Sequence, residues 1–337
     1  MTTEPPTQAS RVCWVVTDGR AGIEAQALGL AEAMARSIRL TCVPKRITIR
    51  APWRSLPAMF WGDALGKLAA DSDELAPPYP DIVVGCGRLS VPVCLSLKQK
   101  GVFAVQLQNP RWRTADFDVV VAPRHDGLAG ENVVSILGSA NRMSAERLAQ
   151  EANELSHAAP FDDAGGDGPR IAVLIGGASK AYRFGAHEAR RIAGALAELA
   201  ETGARLAITF SRRTSPEAAA QIRERLAGAN AWIWDGAPVG SLANPYPGLL
   251  GWADHILATA DSTNMLCEAA SAGKPLHILT LSGGAPKFRR LHDDLIAYGA
   301  ARIFSGELEN WSYMPLNETE RAAEEVLRRF GAARPGL

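Results

Sequence analysis

The chain has 337 residues, 47% hydrophobic and 21% charged, with zero formal net charge at pH 7. That length suggests two domains, each large enough to bury its own core. The neutral balance supplies no electrostatic excess that would argue for nucleic acid as the main partner. The five cysteines (Cys13, Cys42, Cys86, Cys94, Cys267) are scattered in apolar surroundings. They read as buried reduced thiols of a cytoplasmic protein, not as a disulfide frame or a zinc site. The segment from Met1 to Ser10 is polar with two prolines and does not read as a signal peptide. No run approaches the roughly 18 apolar residues of a membrane span.

Strands are expected at residues 12–17, 40–47, 81–85, 102–107, 117–122 and 133–137, with helices most clearly at 24–37 and 89–100. Strands that alternate with helices argue for a doubly wound parallel sheet. The stretch 158–169 (AAPFDDAGGDGP) reads as a linker. Beyond it the alternation restarts: strand 170–175, a helix to Ala200, strand 205–210, a helix to Leu226, and strand 231–234. A strand–turn–helix–strand unit follows, ending with a strand at 276–281, and a polar helix at 318–330 closes the chain. The expected layout is an N-terminal domain at 11–157, the linker at 158–169, a C-terminal domain at 170–316, and a terminal helix and tail at 317–337. The expected fold class is α/β, two Rossmann-like doubly wound parallel-sheet domains facing across a cleft, with ligands at the C-terminal edges of the strands.

Several turns fall at those edges. Thr17-Asp18-Gly19-Arg20-Ala21-Gly22 follows the first strand and opens a helix, and its glycines let a ligand approach the backbone. Gly85-Cys86-Gly87-Arg88 is a second such turn. Gly176-Gly177-Ala178-Ser179-Lys180 follows the first strand of the second domain and has the makings of a phosphate nest, though it does not fit a Walker loop. Ser211-Arg212-Arg213-Thr214 ends the next strand, where paired arginines suit phosphate but also suit a solvated loop. Asp261-Ser262-Thr263-Asn264 places hydroxyls and free N–H groups at a helix start, an anion site or an ordinary Ser/Asp cap. Glu268 lies two turns further along, one nucleoside-length away, and the pair of features suggests a nucleotide-diphosphate ligand.

Two other stretches carry weaker signals. Asp71-Ser72-Asp73 matches a metal-binding DxD only superficially, because it lies between a helix and the loop Pro77-Pro78-Tyr79-Pro80. The six histidines show no ligand spacing, so no metal is expected. Between Arg36 and Gly62 the charges are Arg36, Arg39, Lys45, Arg46, Arg50 and Arg54, with Trp53, Phe60 and Trp61 interleaved. That pattern suits an anionic membrane surface, and equally a core-packing helix beside a basic strand.

The second domain resembles the nucleotide-sugar-binding half of GT-B glycosyltransferases and of the related UDP-N-acetylglucosamine 2-epimerases. The resemblance rests on Asp261-Ser262, Glu268-Ala269, Gly273-Lys274-Pro275 and the Gly176–Ser179 turn. It implies phosphate contacts for Asp261, Ser262 and Thr263, and ribose contact for Glu268. The whole chain resembles the bacterial "mitochondrial fission ELM" family through Val16 to Gly22, Glu24 with Gln26, Gln108-Asn109-Pro110-Arg111, Phe117-Asp118, Pro123-Arg124-His125-Asp126, Ile175-Gly176-Gly177, Ser211 to Thr214, Asn244-Pro245-Tyr246 and the 253–275 stretch. The resulting candidate binding residues are Gly19, Gly22, Asn109, Arg111, Gly176, Gly177, Ser179, Lys180, Ser211, Arg212, Arg213, Asn244, Tyr246, Asp261, Ser262, Thr263, Met265 and Glu268. No cofactor is implied; the donor substrate would be a nucleotide-diphosphate sugar, UDP-linked by the resemblance.

In the lipid-linked N-acetylglucosaminyltransferase of peptidoglycan synthesis, a Gly-His pair follows the first strand. Here that pair is Gly22-Ile23, so the histidine is absent. Asp18 and Glu24 are the substitute base candidates, although each also suits a cap or first-turn acid. The leading expectation is a metal-independent glycosyltransferase serving an envelope glycan or lipid-linked acceptor, cytoplasmic or peripheral on the cytoplasmic face. The alternatives are a non-hydrolysing sugar-nucleotide epimerase using Asp18, Glu24 and Asp126, and a catalytically silent scaffold at a membrane.

Overall fold

The computed structural model describes residues 10–158 and 168–334. The expected linker therefore lies almost wholly outside the described residues, as does the Met1 to Ala9 segment. The chain divides into two units, one of residues up to Arg142 together with those from Asn317, the other Met143–Leu316.

In the first unit, the elements are β1 (Arg11–Thr17), α1 (Ala21–Ser37), β2 (Leu40–Arg46), β3 (Ile82–Cys86), α2 (Ser90–Lys98), β4 (Phe103–Leu107), β5 (Val119–Pro123) and β6 (Val133–Ile136). They form one parallel six-stranded sheet of order β2-β1-β3-β4-β5-β6. Strand alternation explains its two apolar layers. Cys13 and Val15 of β1 join a core with Leu30, Met34 and Val84, whereas Trp14 and Val16 join one with Val83, Leu97 and Val120. Ala27, Leu30, Ala31 and Met34 of α1 are buried at helical spacing, giving that helix its core face.

The second unit contains α3 (Ala145–Ala158), β7 (Arg170–Ile175), α4 (Ala186–Glu201), β8 (Arg205–Phe210), α5 (Pro216–Arg225), β9 (Ala231–Ile233), α6 (Tyr246–Trp252), β10 (His255–Thr259), α7 (Thr263–Ser271), β11 (Leu276–Leu279), α8 (Pro286–Ala297) and β12 (Ala301–Ile303). Its parallel sheet has the order β12-β11-β10-β7-β8-β9. Every residue of β10 is buried, as expected for a strand covered on both faces.

Two helices depart from the sequence-drawn boundaries. α3 belongs to the second unit because α6 presents Gly248 and Gly251 to it. A Cβ at Gly251 would lie 2.3 Å from the Leu148 carbonyl oxygen, so the crossing tolerates no larger residue. The terminal helix α9 (Glu318–Ala333) joins the first unit. Thr319 accepts the Asn141 N–H at 3.0 Å, and Phe330 packs edge-on against Phe103 at 5.2 Å between centroids.

Each sheet reverses its strand order at one place: between β1 and β3 in the first unit, and between β7 and β10 in the second. Two turns leave each reversal in opposite directions and open a crevice at the carboxyl ends of the strands.

Candidate functional site

At the second sheet's reversal, the turns after β7, β8 and β10 are tied into one buried knot. Asp261 follows β10, and its side chain is completely enclosed. One carboxylate oxygen accepts the Gly177 N–H at 3.0 Å and faces Arg213 at 2.7 Å. The other accepts the Thr259 hydroxyl at 2.6 Å, and the same Thr259 oxygen accepts the Gly176 N–H at 2.8 Å. Thr214 closes the far side by donating to the Gly176 carbonyl at 2.6 Å. The sequence reading did not single out Thr259, since a threonine that ends a buried strand carries no signal of its own, and read Thr214 only as part of the Ser211–Thr214 turn.

Glycine is required at both knot positions. A Cβ on Gly176 would stand 2.1 Å from the Asp261 carboxylate, and one on Gly177 would stand 2.0 Å from the Arg213 carbonyl oxygen. The sequence reading gave Asp261 a phosphate contact. The structure instead turns its carboxylate inward onto Gly177 and Arg213, where a second anion would be repelled. Its place is behind the turn.

Directly after the knot, Ser262 caps α7 by accepting the Met265 N–H at 3.4 Å. Ser262, Thr263 and Met265 are half-buried at this helix start. Glu268 stands six residues beyond Ser262, about 9 Å along the axis. Tyr246 donates its hydroxyl to Glu268 at 2.8 Å, and Asn244 fixes the start of α6 by accepting the Tyr246 N–H at 3.1 Å. Burial pushes the Glu268 carboxyl up, with the Tyr246 hydrogen bond opposing it. Burial and the adjacent carboxylate together push the Tyr246 phenol well above its ordinary value.

The other candidates of this unit lie around the knot. Ser179 accepts the Ala181 and Tyr182 N–H groups at 3.2 and 3.1 Å, shaping the turn after β7, and Lys180 beside it is exposed. Ser211 accepts the Arg213 N–H at 3.2 Å, and Arg212 faces solvent. Thus Gly176, Gly177, Ser211, Arg213 and Asp261 are joined by hydrogen bonds, while Lys180 and Arg212 stand outward as cations.

The first unit's candidates occupy a different setting. Asp18 accepts the Arg20 N–H at 3.3 Å and pairs with its guanidinium at 2.8 Å. Glu24 takes a two-pronged contact from Arg46 at 2.9 and 3.1 Å. Both base candidates are therefore engaged by arginines. Gly19 adopts φ +74° and Gly22 lies in the first turn of α1. Asn109 accepts the Arg111 N–H at 2.8 Å in a loop where Gln108, Arg111 and Arg113 all take positive φ. Such non-glycine strain costs of order 1 kcal/mol each and clusters at functional loops. Beneath it, Gln108 donates to Gln26 at 3.1 Å, and the buried Gln106 donates to the Leu107 carbonyl at 2.9 Å.

Two sequence signals change meaning. Asp73 accepts the Arg46 N–H and Ser72 bonds both backbone groups of Thr48, so the DxD-like triplet fastens a loop to the end of β2. Of the aromatics between Arg36 and Gly62, Trp61 is buried and Trp53 lies beneath Lys67; Phe60 alone of the three is exposed. Among the described residues no helix is long and apolar enough to cross a membrane.

The arrangement is similar to known proteins at two levels. The mitochondrial fission protein ELM1 of Arabidopsis thaliana is 29% identical over 284 residues, 75% of this chain and 64% of that protein, so the chain spans under two thirds of this relative's length. The UDP-GlcNAc 2-epimerase of Methanocaldococcus jannaschii superposes with a TM-score of 0.55 at 13% identity, over 94% of this chain and 99% of that one. The UDP co-structure of Staphylococcus aureus MnaA gives 0.52 at 13% identity, over 95% and 89%. The two sheets and their helices thus have the Rossmann-like, GT-B-like fold of those enzymes. A family model described as "Mitochondrial fission ELM1" matches residues 21–330, and the chain belongs to that family.

Proposed function

We propose that this protein binds a nucleotide-diphosphate sugar through its second unit and acts as a metal-independent glycosyltransferase on an envelope glycan or lipid-linked acceptor. The observation that carries this reading is the buried Asp261–Gly177–Arg213 knot beside the capped start of α7, with Glu268 about 9 Å further along the helix. The positive dipole end of α7, with Ser262, Thr263 and the outward cations Lys180 and Arg212, suits a diphosphate. Glu268, oriented by Tyr246, suits the ribose hydroxyls. Dipoles fixed in this way stabilise a leaving diphosphate without a metal ion. Asp18 or Glu24 would take the acceptor's proton. The UDP bound in the fold relative from Staphylococcus aureus supports UDP as the first nucleotide to try.

Calorimetry with UDP and UDP-N-acetylglucosamine tests the binding, with Glu268→Ala expected to weaken it about tenfold, the loss of a charge-assisted hydrogen bond. Absence of binding to any nucleotide at millimolar concentration overturns the proposal. Epimerisation is the second reading, because the fold is shared with UDP-GlcNAc 2-epimerases. It requires several carboxylates around the sugar to move its C2 proton, for which Asp18, Glu24 and Asp126 are the candidates; the arginine contacts of Asp18 and Glu24 bear on both readings alike. Incubation of UDP-N-acetylglucosamine in deuterated water separates the two, since an epimerase exchanges that proton and a transferase does not. A silent scaffold, in contrast, keeps its recruiting role in the Glu268→Ala protein.

A further inference from the structure

The first unit carries a cavity of about 370 Å³ at its own reversal of strand order, lined by Asp18, Arg20, Ile47, Thr48, Ile49, Arg54, Arg88 and Leu89. Arg20 and Asp18 follow β1, Arg88 and Leu89 follow β3, and Ile47 to Ile49 continue β2. This is where an open parallel sheet offers a crevice to a ligand. The charges of the lining do not balance. Its one carboxylate, Asp18, is matched by Arg20. Arg54 and Arg88 form no ion pair among the described residues, so the lining retains an excess of guanidinium. Guanidinium forks presented together match the oxygens of phosphate.

A second observation concerns the segment that supplies Arg54. Trp61 locks it to the first unit: the ring is 2% exposed and its N–H donates to the Leu56 carbonyl at 3.2 Å. Between these anchors the chain turns Leu56, Met59 and Phe60 outward, with Met59 61% and Phe60 63% exposed. An apolar tip held by a buried tryptophan, on the same short segment as an unpaired arginine, fits an amphiphile and not a soluble anion alone.

We propose that the cavity seats the phosphorylated headgroup of a membrane amphiphile, with Met59 and Phe60 entering the surface beside it. Arg54 and Arg88 hold the phosphate, Thr48 offers it a hydroxyl, and Ile47, Ile49 and Leu89 line the apolar wall. If this amphiphile is the glycosyl acceptor, that identity rests on the reading above; the binding itself does not.

Co-sedimentation tests it, with phosphatidylcholine vesicles, either plain or doped with phosphatidic acid. The full chain should bind only the doped vesicles, and added salt should weaken binding. The double variant Arg54→Glu/Arg88→Glu should lose at least about tenfold in vesicle affinity, given about 1 kcal/mol per cation near an anionic surface. Its UDP affinity and thermal midpoint should stay unchanged, since both side chains are solvent-exposed and belong to the first unit. Met59→Ser/Phe60→Ser should bind vesicles more weakly yet bind soluble glycerol phosphate as the parent does. Equal binding to plain vesicles, an unaltered Arg54→Glu/Arg88→Glu protein, or binding of glycerol phosphate without binding of doped vesicles would each overturn the proposal. A parent chain that ignores UDP but binds the doped vesicles would remove the nucleotide reading and leave this one standing.

Discussion

At the reversal of the second sheet, Asp261 is completely enclosed and meets Arg213, Thr259 and the Gly177 N–H, so the backbone there is fixed before any ligand arrives. At the reversal of the first sheet, Asp18 and Arg20 pair at the surface, and a charged cavity stands open beside them. A reversal of strand order thus accompanies an internally bonded backbone knot in one unit and a side-chain-lined cavity in the other, although the two orders differ. Preorganised donors suit a ligand part that never changes, such as a diphosphate, because no reorganisation is required on binding. Flexible arginines tolerate a ligand whose exact shape varies.

The contrast is broken most directly by removing the two aspartates. Asp261→Ala leaves Arg213 and the Gly177 N–H without their partner in a water-poor knot. The expected cost is about 3 kcal/mol in urea denaturation, the lower end for a broken buried pair, because Arg213 remains 41% exposed. Asp18→Ala, by comparison, removes a pair whose arginine is 65% exposed and should cost under about 1 kcal/mol. Equal losses would show that the two reversals are built alike.

Glycine replacement gives the next largest difference. Gly177→Ala forces a Cβ against the Arg213 backbone, which cannot swing aside as a side chain can. A loss of about 2 kcal/mol is expected, together with weaker UDP binding, from the same variant. Gly87→Ala in the first unit meets the Ile23 side chain at 3.4 Å and the Arg20 guanidinium at 3.9 Å, both ordinary side-chain contacts. Its φ of +87° alone costs an alanine about 1 kcal/mol. Denaturation of both variants side by side tests whether backbone crowding or backbone torsion sets the difference.

Much of this architecture is legible from residue order. Buried parallel strands read as short apolar runs, and the strand expected at 102–107 is observed at Phe103–Leu107. The turns after β1, β3, β7, β8 and β10 were legible for the same reason: glycine and polar residues end apolar runs. Partners far apart in sequence were not. Asp261 reads as a free polar residue until Arg213, on another turn, closes on it. Arg54, in a basic stretch, and Arg88, at the end of a glycine turn, read as unrelated signals until β2 and β3 bring their loops to one cavity. Gly248 and Gly251 gave no sign that α3 would pack on α6, since the close approach depends on a helix far upstream in the chain. The choice between a surface and a core place for Trp61 stayed open because periodicity in so short a turn cannot say which aromatic faces inward; the structure buries it.

The smallest effect separates stability from binding within the second unit. Burial raises the Glu268 carboxyl above the ordinary value of about 4.3. A raised acid favours folding in its protonated form, so that contribution is fully present below the unfolded value and is lost as pH rises through the folded one. At neutral pH the charged side chain therefore burdens the fold, and Glu268→Gln should be at least as stable as the parent there. Ribose recognition has the opposite sign, because the ionised carboxylate is the stronger acceptor for two hydroxyls. UDP affinity of the parent should fall as pH drops through the raised Glu268 range, by about tenfold if a charge-assisted bond becomes a neutral one. The Glu268→Gln protein should bind UDP weakly at every pH, with a flat profile. Calorimetry across pH reads both curves, and a parent profile as flat as the variant's would assign Glu268 to packing against Tyr246 alone.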